Sequence, residues 1–234
     1  MLNMLKEKGF SGSTLKMIAM LSMVIDHTAA VLLIGSPYYL MMRIIGRLAF
    51  PIFCFLLVEG YIHTHNVKRY AFRLLLFAAI SEVPFDLAFS YSPVNWEYQN
   101  IFFTLLLGVL VMCGMDWIGK FTKVPAFQIL LKLLPLFAGM VVAWYLKTDY
   151  SKMGVLSIGI LYLFRDYGRL PQCVTAAISF AWEPPAMLAF IPIYFYNGKR
   201  GISIKYLFYI FYPAHLLLLV LLRSLGVGVS IMLG

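Results

Sequence analysis

Charge is what this sequence has least of. Only 12% of its 234 residues are Asp, Glu, Lys or Arg, about half the fraction typical of a soluble domain. Acidic residues are the scarcer kind, ten against nineteen basic ones. Cysteine is also sparse. Cys54, Cys113 and Cys173 lie in or beside apolar runs with no C-x-x-C spacing, so neither a disulfide framework nor a thiolate metal site is indicated. No internal repeat or low-complexity segment is visible. No small-residue cleavage site follows the first apolar run, which therefore reads as a retained helix rather than a signal peptide.

What is present in quantity is hydrophobic surface, at 62% of residues. A transmembrane helix takes about 20 apolar residues, so eight or nine crossings fit and leave no room for a soluble domain. The expectation is an all-α, polytopic integral membrane helical bundle forming a single domain over 1–234. The apolar runs place helices near 14–35, 40–62, 69–90, 100–118, 125–146, 152–165, 171–183, 185–197 and 203–222. "GSPYY" at 35–39, "SYSPVNW" at 90–96, "EPP" at 183–185 and "YNGKRG" at 196–201 read as short loops. Pro84, Pro135, Pro192 and Pro213 fall inside helices and mark kinks.

The net charge of +9 need not mean nucleic acid, because Lys and Arg collect in the cytoplasmic loops of membrane proteins. With the N-terminus inside, the cytoplasmic segments hold Lys6, Lys8, Lys16, Lys68, Arg69, Arg73, Lys120, Lys123, Lys132, Arg165, Arg169, Lys199, Arg200 and Lys205. The outer segments hold only Lys147, Lys152 and Arg223. The asymmetry predicts a cytoplasmic N-terminus and an odd number of crossings.

Two bases fall outside this pattern. Arg43 and Arg47 lie in the outer half of the second helix, four residues apart and on one face, where a guanidinium needs acids, carbonyls or water around it. Glu82 and Asp86 on the third helix have the same spacing and overlapping depth. Asn100 and Thr104 open the fourth helix on the same side. The group reads equally well as a structural ion-pair network or as a site for a polar substrate.

Depth can be counted at 1.5 Å per helical residue, which places Asp26, His27 and His215 each about 11 residues in from the cytoplasmic end of its helix. Both histidines then lie near the bilayer midplane, where an imidazole can serve as a proton acceptor. Asp26 and His27 point about 100° apart on a helix, so Asp26 is expected to pair with an arginine or with His215 instead. A zinc site built on the two histidines lacks H-x-x-x-H spacing, and no metal is expected. His63 and His65 read as solvated loop residues.

The segments "LKMIAMLSMVIDHTAAVLL", "RIIGRLAFPIFCFLLVEGYIHTHNVKRYAFRLLLFAAISEVPFDLAF", "NIFFTLLLGVL", "YNGKRG" and "KYLFYIFYPAHLLLL" closely resemble the TraX family, in the family's order and over well more than half the chain. Residues from about 119 to 185 match more loosely. The family's named member is similar in role to an N-acetyltransferase that caps the amino terminus of conjugative pilin. The family looks like a relative of the transmembrane acyltransferases, which include the acyltransferase-three enzymes and the lysosomal heparan glucosaminide acetyltransferase. The resemblance implies a multi-pass protein of the bacterial cytoplasmic membrane that takes acetyl-CoA or another acyl-CoA from inside. The acceptor it implies is an amine or hydroxyl in or beyond the membrane: a peptide amino terminus, a glycan or a small molecule.

On that reading His27 is the general base, with Asp26 and His215 beside it. Arg43, Arg47, Glu82, Asp86, Asn100 and Thr104 hold the acceptor or the developing oxyanion. Arg69, Arg73, Lys199, Arg200 and Lys205 meet the donor's phosphates. Membrane lipid is a further partner and a homodimer is allowed. Two other classes stand beside it. Intramembrane Asp26, Glu59, Glu82 and Asp86 with histidines would also make the proton relay of a transporter or flippase, though no inverted repeat is visible. A non-catalytic scaffold would use the same residues only to fix helix packing.

Overall fold

In hydrocarbon every backbone N–H and C=O has to be bonded within the protein, and a helix does this within one segment. The computed structural model describes residues 9–121, 124–202 and 205–227, with only the backbone of 125, 205 and 206. Lys6, Lys8, Lys123 and the side chain of Lys205 lie outside the described residues. Among those described, all regular structure is helical apart from two isolated bridges, Phe10 with Tyr196 and Gln99 with Thr148.

The helices are α1 (Gly12–Leu32), α2 (Tyr39–Gly46), α3 (Ala49–Ile62), α4 (Val67–Phe89), α5 (Ile101–Ile118), α6 (Pro125–Tyr145), α7 (Ser151–Leu163), α8 (Arg169–Ser179), α9 (Phe190–Tyr194) and α10 (Lys205–Ser224). Short 3-10 turns occupy Arg165–Tyr167 and Pro184–Ala189. Among the described residues, five stretches are long and apolar enough to cross a membrane: Gly12–Leu32, Tyr39–Ile62, Ile101–Ile118, Ala126–Tyr145 and Leu207–Ser224. The expectation of eight or nine exceeds that number. The additional segments are α4, which has the length but carries Lys68, Arg69, Arg73, Glu82 and Asp86, and the shorter apolar helices Ser151–Leu163 and Pro184–Tyr194.

Two helices differ in form from their apolar runs. The run 40–62 is interrupted between Gly46 and Ala49, separating α2 from α3. The run from 185 begins as a 3-10 turn, where Pro184 and Pro185 supply no backbone N–H.

The chain forms two compact units. The first comprises Met1–Leu56, Ile80–Asn95 and Phe180–Gly234, and the second Leu57–Ala79 and Trp96–Ser179. In the first, α1 packs against α2 and α10, and α2 meets the Pro184–Ala189 turn. Its interior includes Leu15, Ala19, Ile52, Phe55, Ile193 and Leu216, all fully buried. Ser11 caps α1, its Oγ accepting from the Thr14 N–H at 3.2 Å. The next free amides of α1 donate to the "YNGKRG" loop, Gly12 N to Lys199 O at 2.8 Å and Ser13 N to Arg200 O at 3.0 Å. At the far end Arg223 donates to the carbonyls of Leu87 at 2.6 Å and Ala88 at 2.8 Å, satisfying the last turn of α4. Its guanidinium lies 4.1 Å from the centre of the Tyr91 ring.

In the second unit α5, α6 and α7 pack mutually and α8 joins α7. Glycines bring these helices close, since a side chain at Gly139 would overlap Val111 and one at Gly159 would overlap Leu136. Only 17% of the apolar stretch of Ala126–Tyr145 is buried, against 50% of Gly12–Leu32. Phe137, 68% exposed, and its neighbours form an outward apolar face suited to lipid. Replacing Gly139 by Leu is therefore expected to lower stability by about 1–3 kcal/mol through overpacking. Phe137→Ala should leave the thermal midpoint in detergent nearly unchanged. Parallel melting curves of the two variants check this contrast.

Candidate functional site

Within the first unit, Asp26 and His27 are neighbours on α1 whose side chains diverge, as helix geometry requires. Asp26 turns to α2 and His27 to α10. The close approach of Asp26 depends on Gly46, because a side chain at 46 would occupy the place of the Asp26 carboxyl group. There Arg43 Nη1 donates to Asp26 Oδ2 at 2.6 Å. One turn on, Arg47 Nε stands 3.1 Å from Glu183 Oε1.

The two pairs are sheltered without being sealed. The arginine side chains are 24% and 22% exposed, and those of Asp26 and Glu183 are 12% and 17% exposed. Each carboxylate uses one oxygen on its arginine. The other, Asp26 Oδ1 and Glu183 Oε2, is buried with no hydrogen-bond partner among the described residues. Such oxygens carry a desolvation cost that a bound donor group or water would relieve.

About 100° around α1 from Asp26, His27 Nδ1 lies 2.7 Å from His215 Nε2. The ring centres are 5.0 Å apart and the planes differ by 8°. Centres that far apart with nitrogens that close require the two nitrogens to face one another along the line between the rings. The contact is thus an in-plane hydrogen bond and not a stack. His215 Nδ1 lies 2.8 Å from the carbonyl oxygen of Phe211, one turn earlier on α10. Phe89 and Tyr212 stand edge-on to His27 at 5.3 and 6.1 Å between ring centres. Phe211 lies parallel to His215 at 5.0 Å. An imidazole pair walled by aromatic rings and flanked by two ion pairs can accept and return a proton in a weakly polar setting.

The other residues singled out from the sequence are dispersed. Asp86, expected opposite the arginines, accepts from the Asn95 N–H at 2.7 Å and closes the 90–95 loop. Arg43 takes Asp26 as its acid instead, because α2 packs against α1. Glu82 is half-buried one turn before Asp86. Asn100 and Thr104 belong to the second unit and are fully buried in structural bonds. Asn100 caps α5, accepting from Phe102 N at 3.0 Å and donating to Ala78 O at 2.8 Å. Thr104 donates to the carbonyl of Asp149.

Lys199 and Arg200 are exposed in the loop bonded to the start of α1. Arg69 and Arg73 lie in the first turns of α4, within the second unit. Among the described residues no three His, Cys, Asp or Glu side chains gather as a metal site would require. Glu183 is the site residue that sequence reasoning missed. Beside two prolines it reads as an outer-loop acid, and only the packing of α2 against its turn brings it to Arg47.

The model of the family described as TraX protein matches residues 11–223, a span that contains every residue of this site. The chain belongs to the TraX family. The resemblance carried by its sequence segments is therefore borne out. A similar relative is the protein named "Probable fimbrial assembly protein FimC, serogroup H1" of Dichelobacter nodosus, 29% identical over 238 residues that cover 90% of this chain and 94% of the relative. No solved structure matches.

Arg43→Ala should strand the Asp26 carboxylate and lower stability by about 3 kcal/mol, the lower end of the range for breaking a buried pair. Removing both charges, as in Asp26→Leu with Arg43→Met, should recover most of that loss. Thermal or denaturant unfolding of the single and double variants measures the difference.

Proposed function

We propose that this TraX-family chain is a multi-pass acyltransferase of the bacterial cytoplasmic membrane. It moves an acetyl or related acyl group from cytoplasmic acyl-CoA to an amine or hydroxyl of a membrane-associated or extracytoplasmic acceptor. The observation that carries this reading is the His27–His215 pair, 2.7 Å apart, beside two ion pairs whose carboxylates each keep one oxygen without a partner among the described residues. A base is thereby set next to groups able to hold a polar acceptor. The FimC relative's name points to fimbrial assembly, so the amino terminus of a surface-fibre subunit is the acceptor to try first. A glycan or a small molecule comes next.

The excess of Lys and Arg in the segments assigned to the inside supports a cytoplasmic N-terminus. On that orientation Lys199 and Arg200 face the cytoplasm in the unit that holds the histidines. Fourteen residues separate Ser13, bonded to that loop, from His27, or about 21 Å along α1 at 1.5 Å per residue. A donor anchored by its phosphates at the loop would reach His27 through an extended arm. Arg69, Arg73 and Lys205 are the further cations that the charge count assigns to the cytoplasmic segments. The donor supplies the activated acyl carbon. His27 takes the acceptor's proton, and Arg43 or Arg47 meets the charge that develops on the carbonyl oxygen.

Calorimetry with acetyl-CoA tests the donor half on protein purified in detergent. Wild type and His27→Ala should bind alike, while Arg200→Ala should weaken binding about tenfold, or 1.4 kcal/mol. With an acceptor in hand, His27→Ala should lower transfer about 10²–10⁴-fold. Absence of binding by any acyl-CoA would overturn the donor assignment and favour a proton-coupled transporter.

A further inference from the structure

We infer that His215 is a positioning residue that decides which nitrogen of His27 is bare, making Nε2 the reactive atom. The inference rests on the acyl-transfer reading for its chemistry and on the histidine geometry alone for its tautomer. A carbonyl oxygen can only accept, so the 2.8 Å contact with Phe211 O puts a hydrogen on His215 Nδ1. A neutral imidazole carries one N–H, so His215 Nε2 is then an acceptor. The 2.7 Å contact with it requires His27 to carry its hydrogen on Nδ1. What is left is the lone pair on His27 Nε2. A backbone carbonyl at one end of a two-ring chain thus selects the base at the other.

The same chain restricts where a proton can go. As the bond from the acceptor nitrogen or oxygen to the acyl carbon forms, the acceptor's proton passes to His27 Nε2. The positive charge spreads over both rings through the hydrogen between them. Beyond His215 stands a carbonyl, which cannot pass a proton on. The proton therefore leaves by the atom at which it arrived, to the thiolate released as the carbon–sulfur bond breaks. Nothing else is consumed. A through-relay of the kind a proton-coupled transporter needs would require a titratable group where Phe211 O stands.

The test is nitrogen-15 NMR of the full-length protein labelled at histidine. There are four histidines, and His63→Gln with His65→Gln removes the two exposed loop residues, leaving only the pair. The expected spectrum at neutral pH has both remaining rings protonated at Nδ1 and bare at Nε2. A nitrogen–nitrogen coupling should connect His27 Nδ1 to His215 Nε2. His215→Leu should let His27 populate the Nε2–H form, whereas His215→Gln, whose amide oxygen can accept from His27 Nδ1, should retain the tautomer.

A His27 ring protonated at Nε2 and bare at Nδ1 in the wild type would overturn the inference, and this needs no variant to fold. In transfer assays His215→Leu should lower kcat at least about tenfold with the acetyl-CoA Kd unchanged, and His215→Gln should restore most of it. If the spectrum is as expected and no acyl-CoA binds, the proposed function fails and the tautomer assignment stands. If transfer occurs with the opposite tautomer, the inference alone fails.

Discussion

The ion pair between Asp26 and Arg43 is the contact on which the polar interior of the first unit depends. A carboxylate 9% exposed in an apolar bundle persists only with a counter-charge, and here the guanidinium is 2.6 Å away. Seating that acid requires α2 to present a glycine at 46. Once α2 lies there, Arg47 falls one turn further and meets Glu183. The next residue on α1, rotated by about 100°, faces α10. His27 is thereby delivered to His215, so one ion pair orients both faces of the site.

The second unit meets the same constraint differently. Asn100 and Thr104 spend their hydrogen bonds on backbone groups. Tyr61 donates to Asp116 at 2.7 Å, and Tyr162 donates to the other oxygen of that carboxylate. Arg165 bonds to the Tyr162 carbonyl at 2.7 Å and lies 3.8 Å from the centre of its ring. These residues close helix ends and tie α3, α5 and α7 together. Asp26 and Glu183 in the first unit each keep a buried oxygen that has no hydrogen-bond partner among the described residues, as do Asp86 in that unit and Thr148 in the second. Polar groups that are satisfied rigidify a bundle.

Family membership and geometry bear on different parts of the functional reading. The TraX match spans residues 11–223 and so covers both units. The FimC relative is itself named for fimbrial assembly. The geometry bears on the chemistry, since it joins two histidines 188 positions apart in sequence and walls them with Phe89, Phe211 and Tyr212. The proposed acceptor class, an amine or hydroxyl, comes from the family resemblance and not from the geometry.

Helix positions were legible in the sequence because the bilayer imposes length and hydropathy directly on each segment. The runs near 14–35, 69–90, 100–118 and 125–146 correspond to α1, α4, α5 and α6 within a few residues. The common depth of His27 and His215 was legible too, since rise per residue is a property of the helix itself. Divergence of Asp26 from His27 followed from the same geometry. Partner choice was legible from the side of Asp26, which pairs with an arginine as expected, but not from the side of the arginines. Opposite Arg43 and Arg47 the spacing of Glu82 and Asp86 looked complementary, yet Arg43 pairs with an acid on α1 and Arg47 with one beside Pro184. Periodicity states which face a residue occupies and how deep it lies. Which helix stands against that face is decided by the packing of the whole bundle, in which a glycine at 46 and a turn at 184–189 count for as much as any charge.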